Sequence, residues 1–262
     1  MKGIEGKNVI VSAGGSGLGR AIAVVMSGYG ANVTTFSRSE KKLKETVEEG
    51  LKRNNRRINT LTADLSSEQD LLKVVDDVHL KYGAIDAIVL NYGDPAVAPF
   101  MSITGSQWDY SISMMFKSTL LLTRVACKDM IERKSGRIVY VTSKMTKSPS
   151  VNFSISTSLR SAVVGLGKVL SLELGPMGIN VNSISQGYFL TDRLRNIAKQ
   201  RAERGEGSYD DIIENIRESV PLKRFGKPEE LGELVAFLCS DEASYLTGTN
   251  IQIDGGVVTF PF

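Results

Sequence analysis

At 262 residues with 42% hydrophobic side chains, the chain is long enough for one large domain with a substantial core. Its charge, 32 Lys and Arg against 29 Asp and Glu, is close to balance and gives no ground for a nucleic-acid partner. The single histidine, His79, excludes mechanisms built on a histidine base and metal sites built on clustered histidines, so no metal is expected.

The amino terminus, Met1-Lys2-Gly3-Ile4-Glu5-Gly6-Lys7, runs into a strand without the apolar stretch of a signal peptide, and no run of 18 apolar residues occurs anywhere. A cytoplasmic protein with no membrane partner is expected. Cys127 and Cys239 each fall inside an apolar helical pattern and read as buried free thiols.

Short β-branched runs at 8–11, 32–36, 58–62, 87–90, 137–141, 180–184 and 250–253 predict seven strands. Between them, helical periodicity covers 17–29, 39–52, 67–81, 106–132, 153–175 and 228–239. This alternation predicts a single α/β domain over 1–262, a Rossmann-type doubly wound fold with a seven-stranded parallel sheet and helices on both faces. The basic stretch at 52–57 reads as a solvated helix-to-strand loop, with polyanion binding as the alternative. From about 191 to 221 a charged, helical-looking insertion follows the sixth strand, and its place at the carboxyl ends of the strands reads as a lid.

Ser12-Ala13-Gly14-Gly15-Ser16-Gly17-Leu18-Gly19 follows the first strand and opens the first helix. Glycines in such a turn let backbone N–H groups close on a pyrophosphate at the positive helix end. Ala13 suits the turn if its φ is negative and Gly14 and Gly15 take up the bend. Arg38, at the tip Ser37-Arg38-Ser39 after the second strand, stands where an acidic residue would bind the ribose hydroxyls of NAD. A guanidinium flanked by hydroxyls suits a 2′-phosphate, so NADP is favoured over NAD, with a simple solvated arginine as the alternative.

With these motifs in hand, the chain resembles the classical short-chain dehydrogenases/reductases, the 3-oxoacyl-acyl-carrier-protein reductases among them, over nearly its whole length. The glycine turn resembles their TGxxxGxG. Asp64 in Ala63-Asp64-Leu65 resembles their adenine-contacting aspartate, and Asn91-Tyr92-Gly93 the end of NNAG. Gln186-Gly187-Tyr188-Phe189-Leu190-Thr191 resembles PGxxxT, and Arg224-Phe225-Gly226-Lys227-Pro228 with Asp254-Gly255-Gly256 their carboxyl-terminal signature. The resemblance implies a dinucleotide across the strand ends, held by Ser12, Gly14, Gly15, Ser16, Gly17, Leu18, Gly19, Arg38, Asp64, Leu65, Asn91, Gly93, Arg160, Gly187 and Thr191. Thr191 would lie near the nicotinamide carboxamide. It also implies a small-molecule substrate and a homo-oligomer, tetramer or dimer; the apolar helices at 106–132 and 153–175 point the same way.

The family's tyrosine, lysine and asparagine positions carry Ser156, Arg160 and Met115, and only the serine, Ser143, is in place. A serine hydroxyl has no accessible ionisation, an arginine stays protonated, and a methionine offers no donor. Tyr92, where alanine is usual, either packs away or narrows the nicotinamide pocket. Candidate substitute acids are Tyr188, projecting toward the substrate mouth, and Lys144 and Lys147 in the loop after Ser143; the alternative is a packed lid-anchor tyrosine and two solvated lysines. Two readings follow: an NADP-linked oxidoreductase acting on a carbonyl, alcohol or enoyl substrate with relocated acid chemistry, or a silent family member serving as a nucleotide-binding, regulatory or structural subunit.

Overall fold

A computed structural model describes residues 1–260. Its seven strands are β1 (Asn8–Ser12), β2 (Asn32–Ser37), β3 (Asn59–Thr62), β4 (Ala87–Leu90), β5 (Gly136–Ser143), β6 (Ile179–Gln186) and β7 (Asn250–Ile253). They form one all-parallel sheet in the order β3-β2-β1-β4-β5-β6-β7. The β-branched runs are nearly continuous because both faces are covered. In β1, Val9 and Val11 pack to one side and Ile10 to the other.

Helices α1 (Gly17–Gly28), α2 (Glu40–Asn54) and α9 (Pro228–Cys239) lie on the side of Val9. Helices α3 (Glu68–Tyr82), α5 (Ser118–Arg133) and α6 (Ser154–Leu174) cover the other. The order reverses between β1 and β4, so the crossovers leaving these two strands go to opposite faces and open a crevice at their carboxyl ends. Ser12 ties that crevice together. Its Oγ donates to the Asn91 carbonyl at 2.5 Å and accepts the Asn91 N–H at 2.9 Å.

The long helix expected over 106–132 is present, its backbone helical without interruption from Gly105 to Arg133, but its α-helical ladder is broken by a π-helical turn (Ile112–Lys117) between α4 (Gly105–Ser111) and α5. Hydroxyls account for the break. Ser111, Ser118 and Thr119 each donate to the carbonyl four residues back, at 2.7, 2.7 and 2.6 Å. Side-chain bonds of this kind compete with the helical ladder and loosen it.

The basic stretch is not wholly loop: α2 runs through Lys52 and Arg53 to Asn54, and Asn55 caps it in the left-handed conformation. Arg53 bridges Glu49 and Glu229, which makes this segment a seam between α2 and α9. His79 is partly exposed and hydrogen-bonds Asp129 at 2.8 Å. Cys127 and Cys239 are free and buried, and burial pushes their thiols up to about 11 and about 12. No described helix is long and apolar enough to cross a membrane.

The insertion forms a helical hairpin, α7 (Asp192–Glu203) and α8 (Tyr209–Ser219), with a small core of its own built on Leu194, Ala198, Ile212 and Ile216.

The expectation for Ala13 is overturned. Its φ is +53°, whereas Gly14 and Gly15 have no left-handed geometry. The two glycines are needed for closeness: a Cβ on Gly14 would lie 1.9 Å from Thr35 Oγ1, and one on Gly15 2.4 Å from Ser37 Oγ. Left-handed backbone strains an alanine, and glycine occupies it freely. Ala13→Gly is therefore expected to raise stability by roughly 0.5–1 kcal/mol in urea denaturation, the relieved strain exceeding the added chain entropy; an unchanged or lower midpoint would contradict this.

Candidate active site

The crevice is a cleft of about 810 Å³ running from the β2 tip to the helical hairpin. At one end Ser16, the N-cap of α1, makes no side-chain capping bond, so the N–H groups of the first turn face the cleft uncapped. Gly15, Gly17 and Leu18 line this part. Ser12, Gly14 and Gly19 do not. Ser12 is buried under Asn91, Gly14 packs on Thr35, and a Cβ on Gly19 would lie 2.3 Å from the Ala13 carbonyl. These three shape the turn from behind the cleft surface.

At the β2 tip Arg38 is exposed, forms no ion pair among the described residues, and donates from Nη1 to the Tyr110 hydroxyl at 3.0 Å. Lys42 and Ser37 line the same corner. Asp64 keeps one carboxylate oxygen occupied by the Ser66 N–H and hydroxyl, both at 2.8 Å, and presents the rest to the cleft beside Leu65. Asn91, Gly93, Gly187 and Thr191 complete the wall, and Thr191 is the neighbour of Gly17, 3.6 Å from where its Cβ would be.

At the far end the sequence-predicted catalytic residues Ser143, Tyr188, Ser156 and Arg160 come together. Ser143 is buried at the end of β5, and its Oγ accepts the Met145 N–H at 3.3 Å, leaving the hydroxyl proton free. Ser156 and Arg160 pair with each other on α6, Nη1 donating to Oγ at 2.6 Å. Arg160 is largely desolvated, its Nε has no partner, and burial together with the neighbouring Arg193 pushes its guanidinium down to about 10. It remains a cation at neutral pH. Met115, assigned by the resemblance to the asparagine position, is fully buried in the core, and Met114 lines the cleft in its place.

Tyr92 lines the cleft with its ring but turns its phenol into the helix layer, 2.7 Å from Thr119 Oγ1. Thr119 spends its proton on the Met115 carbonyl, so Tyr92 is the donor. Burial pushes this phenol well above its ordinary range, which removes it as an acid at neutral pH.

Lys144, one of the candidate substitute acids, is buried rather than solvated, with its Nζ 4.9 Å from the centroid of the Tyr188 ring. Two contributors were not singled out from sequence. Arg193, in the first turn of α7, bonds Asp94 at 3.2 Å and the Pro95 carbonyl at 3.1 Å, tying the hairpin to the segment after β4. Tyr110 meets Arg38 only through the fold.

Such a switch-point cleft, with a glycine turn at one end and buried hydroxyls and cations at the other, defines a Rossmann-type nucleotide-binding architecture. Residues 12–258 match a family model described as enoyl-(acyl carrier protein) reductase. The chain is 32% identical to the oxidoreductase UcpA of Salmonella typhimurium over 260 residues, 98% of this chain and 96% of that one. It is 28% identical to a 3-oxoacyl-[acyl-carrier-protein] reductase of Aquifex aeolicus, covering 97% and 98% of the two chains. Among solved structures, a variant of actinorhodin polyketide ketoreductase with NADPH superposes with a TM-score of 0.93 at 27% identity, covering 99% of this chain and 100% of that one. The L-sorbose reductase of Gluconobacter frateurii, complexed with NADPH and L-sorbose, gives 0.92 at 26% identity and 98% coverage of each. The chain belongs to the short-chain dehydrogenase/reductase family of oxidoreductases.

Because the Tyr92 phenol serves the helix layer, Tyr92→Phe should lower stability by about 1 kcal/mol, the worth of one buried hydrogen bond. Urea denaturation measures this, and an unchanged midpoint would return the phenol to the cleft.

Proposed function

We propose that the protein is an NADP-dependent oxidoreductase acting on a carbonyl or alcohol, with the proton-donating role moved from the usual helix position to Tyr188. The observation that carries this reading is the Lys144 ammonium against the Tyr188 ring, 4.9 Å from its centroid, with Ser143 next to Lys144 in the chain. A phenol beside an ammonium is the same pair of groups the family uses, here assembled from the β5 end and the segment after β6.

The cleft fits the cofactor. Arg38, Lys42 and Ser37 offer charge and hydroxyl to a 2′-phosphate with no carboxylate in ion-pair contact with either cation among the described residues. The uncapped first turn of α1 suits a pyrophosphate, and a Cβ at Gly15 would have no room. Asp64 and Leu65 would hold the adenine end, Asn91 and Gly93 the riboses, and Gly187 and Thr191 the nicotinamide side. NADPH-bound relatives of the same fold support the choice of NADP.

NADPH held by these residues would supply the hydride for reduction of the carbonyl. The Ser143 hydroxyl, its lone pair already committed to Met145, donates to the substrate oxygen and fixes its position. Tyr188 gives its phenolic proton to that oxygen, and Lys144 stabilises the negative charge developing on Tyr188. Ser156 and Arg160, bound to each other, take no part in this proton transfer.

The test is a panel of carbonyl and alcohol substrates with NADPH and NADH. Turnover is expected with NADPH, and Tyr188→Phe should lower kcat by about 10²–10⁴-fold with NADPH affinity retained. Tight NADPH binding with no turnover on any substrate would reject the catalytic reading in favour of a nucleotide-binding regulatory subunit. Arg38→Asp should cost NADPH affinity about tenfold or more, as expected for a lost charge-assisted contact, and leave NADH affinity the same or better.

The exposed apolar side chains of α5 and α6, Leu120, Val169 and Leu172, support a homo-oligomer, dimer or tetramer, through this face. Light scattering should give a multiple of 28.5 kDa, and Leu172→Glu should reduce it; a monomeric wild-type mass would exclude the assembly.

A further inference from the structure

The substrate end of the cleft holds more positive charge than its carboxylates balance. Arg160 has no carboxylate within ion-pair distance among the described residues, one hydrogen bond, to Ser156 Oγ, and a buried Nε with no partner. Across from it, Arg193 is held by Asp94 at 3.2 Å and by the Pro95 carbonyl at 3.1 Å. Lys144 is buried in the same wall and forms no ion pair among the described residues. The other acidic residues facing this end are Asp192 and Glu206, and Glu206 is taken by Arg201 and Arg204. Of the carboxylates at this end only Asp94 lies within ion-pair distance of any of these three cations, and it is bound to Arg193, so Arg160 and Lys144 have none.

A desolvated cation without a partner is costly, and two guanidiniums within Coulombic reach of each other raise that cost. Their mutual effect shows in Arg160, which Arg193 and burial push down to about 10. An anion entering between them would supply the missing partner. Arg160 sits on α6, part of the fixed wall, whereas Arg193 sits on α7 of the hairpin. A shared anion would therefore fasten the hairpin to the wall at the moment of binding.

We propose that the substrate carries a carboxylate beside its reacting carbonyl or hydroxyl, an oxo acid or hydroxy acid, and that this carboxylate bridges Arg160 and Arg193. The planar fork of Arg160, with Nε free, matches a carboxylate in two parallel N–H···O bonds. A single negative charge suits the local balance, since Asp94 already answers Arg193. This proposal rests on the oxidoreductase reading for the reacting group, but the anion site is testable without turnover.

The experiment is calorimetric titration of the full chain, with and without saturating NADP⁺, with acetoacetate, 2-oxobutyrate and 2-oxoglutarate, each against its methyl ester. At least one acid should bind ten times or more tightly than its ester. Arg160→Gln should abolish that preference and Arg193→Gln should weaken it, while the thermal midpoint of Arg160→Gln should stay level or rise because an unpaired buried charge is removed. Equal binding of every acid and ester would overturn the proposal. So would an acid preference that survives in Arg160→Gln, or an Arg160→Gln variant that loses NADP⁺ affinity with the preference intact, which would assign Arg160 to the cofactor. Arg193→Gln, on the exposed hairpin, keeps the test decisive if Arg160→Gln does not fold. Acid preference in a protein that turns nothing over would uphold the anion site and reject the oxidoreductase reading.

Discussion

The Ser12 hydroxyl, bound to both backbone groups of Asn91, joins the ends of β1 and β4 where the strand order reverses. That single side chain satisfies two buried polar groups which would otherwise be left without partners at a strand end. It also sets the separation of the two walls of the cleft: the glycine turn leaves from β1 and Tyr92 and Gly93 from β4. Everything placed at the substrate end hangs from elements whose starting points this link fixes. The close contacts of Gly14 on Thr35 and of Gly19 on the Ala13 carbonyl extend the same constraint along the turn, which is why residues that never reach the cleft still belong to its design.

On the proposed reading, the chemistry at the far end is displaced rather than missing. Ser156 and Arg160 stand at familiar positions on α6 but satisfy each other, and Met115 faces the core. The groups free to act, Ser143, Lys144 and Tyr188, come from the β5 end and the loop after β6, and they are drawn together because β5 and β6 are paired along their full length. Parallel register places Ser143 opposite Gln186, two residues before Tyr188, so the pairing of the strands brings the Tyr188 ring to the β5 end, against Lys144.

Much of this was legible before the structure. The strands were readable because both sheet faces are buried and the β-branched runs are unbroken, and the helices because their apolar stripes are regular. The cofactor end was legible for a related reason: turns that approach a phosphate leave glycines in the sequence. What escaped was whatever depends on backbone hand or on contacts between distant elements. The positive φ of Ala13 leaves no trace in residue type, since only glycine advertises that geometry. The pairings of Arg193 with Asp94 and of Arg38 with Tyr110 span roughly a third of the chain and follow no local pattern. The break after Ser111 had a signal, the hydroxyls of Ser111, Ser118 and Thr119, but inside an apolar helical stretch such residues usually pass as neutral.

That break has a further consequence for how the chain is compared with its relatives. A π-helical turn accommodates one residue more than the α-helical spacing, and one residue on an α-helix is about 100° of rotation. Across Ile112–Lys117 the facing side of the helix is therefore offset from what a count along the sequence assigns, and Met114 meets the cleft where counting selects Met115. The turn works as a frame shift in space: the residue presented to the cleft depends on where the extra residue is absorbed. Altering that choice needs no change in a residue that lines the cleft, only a change in which helix position carries a ladder-loosening hydroxyl.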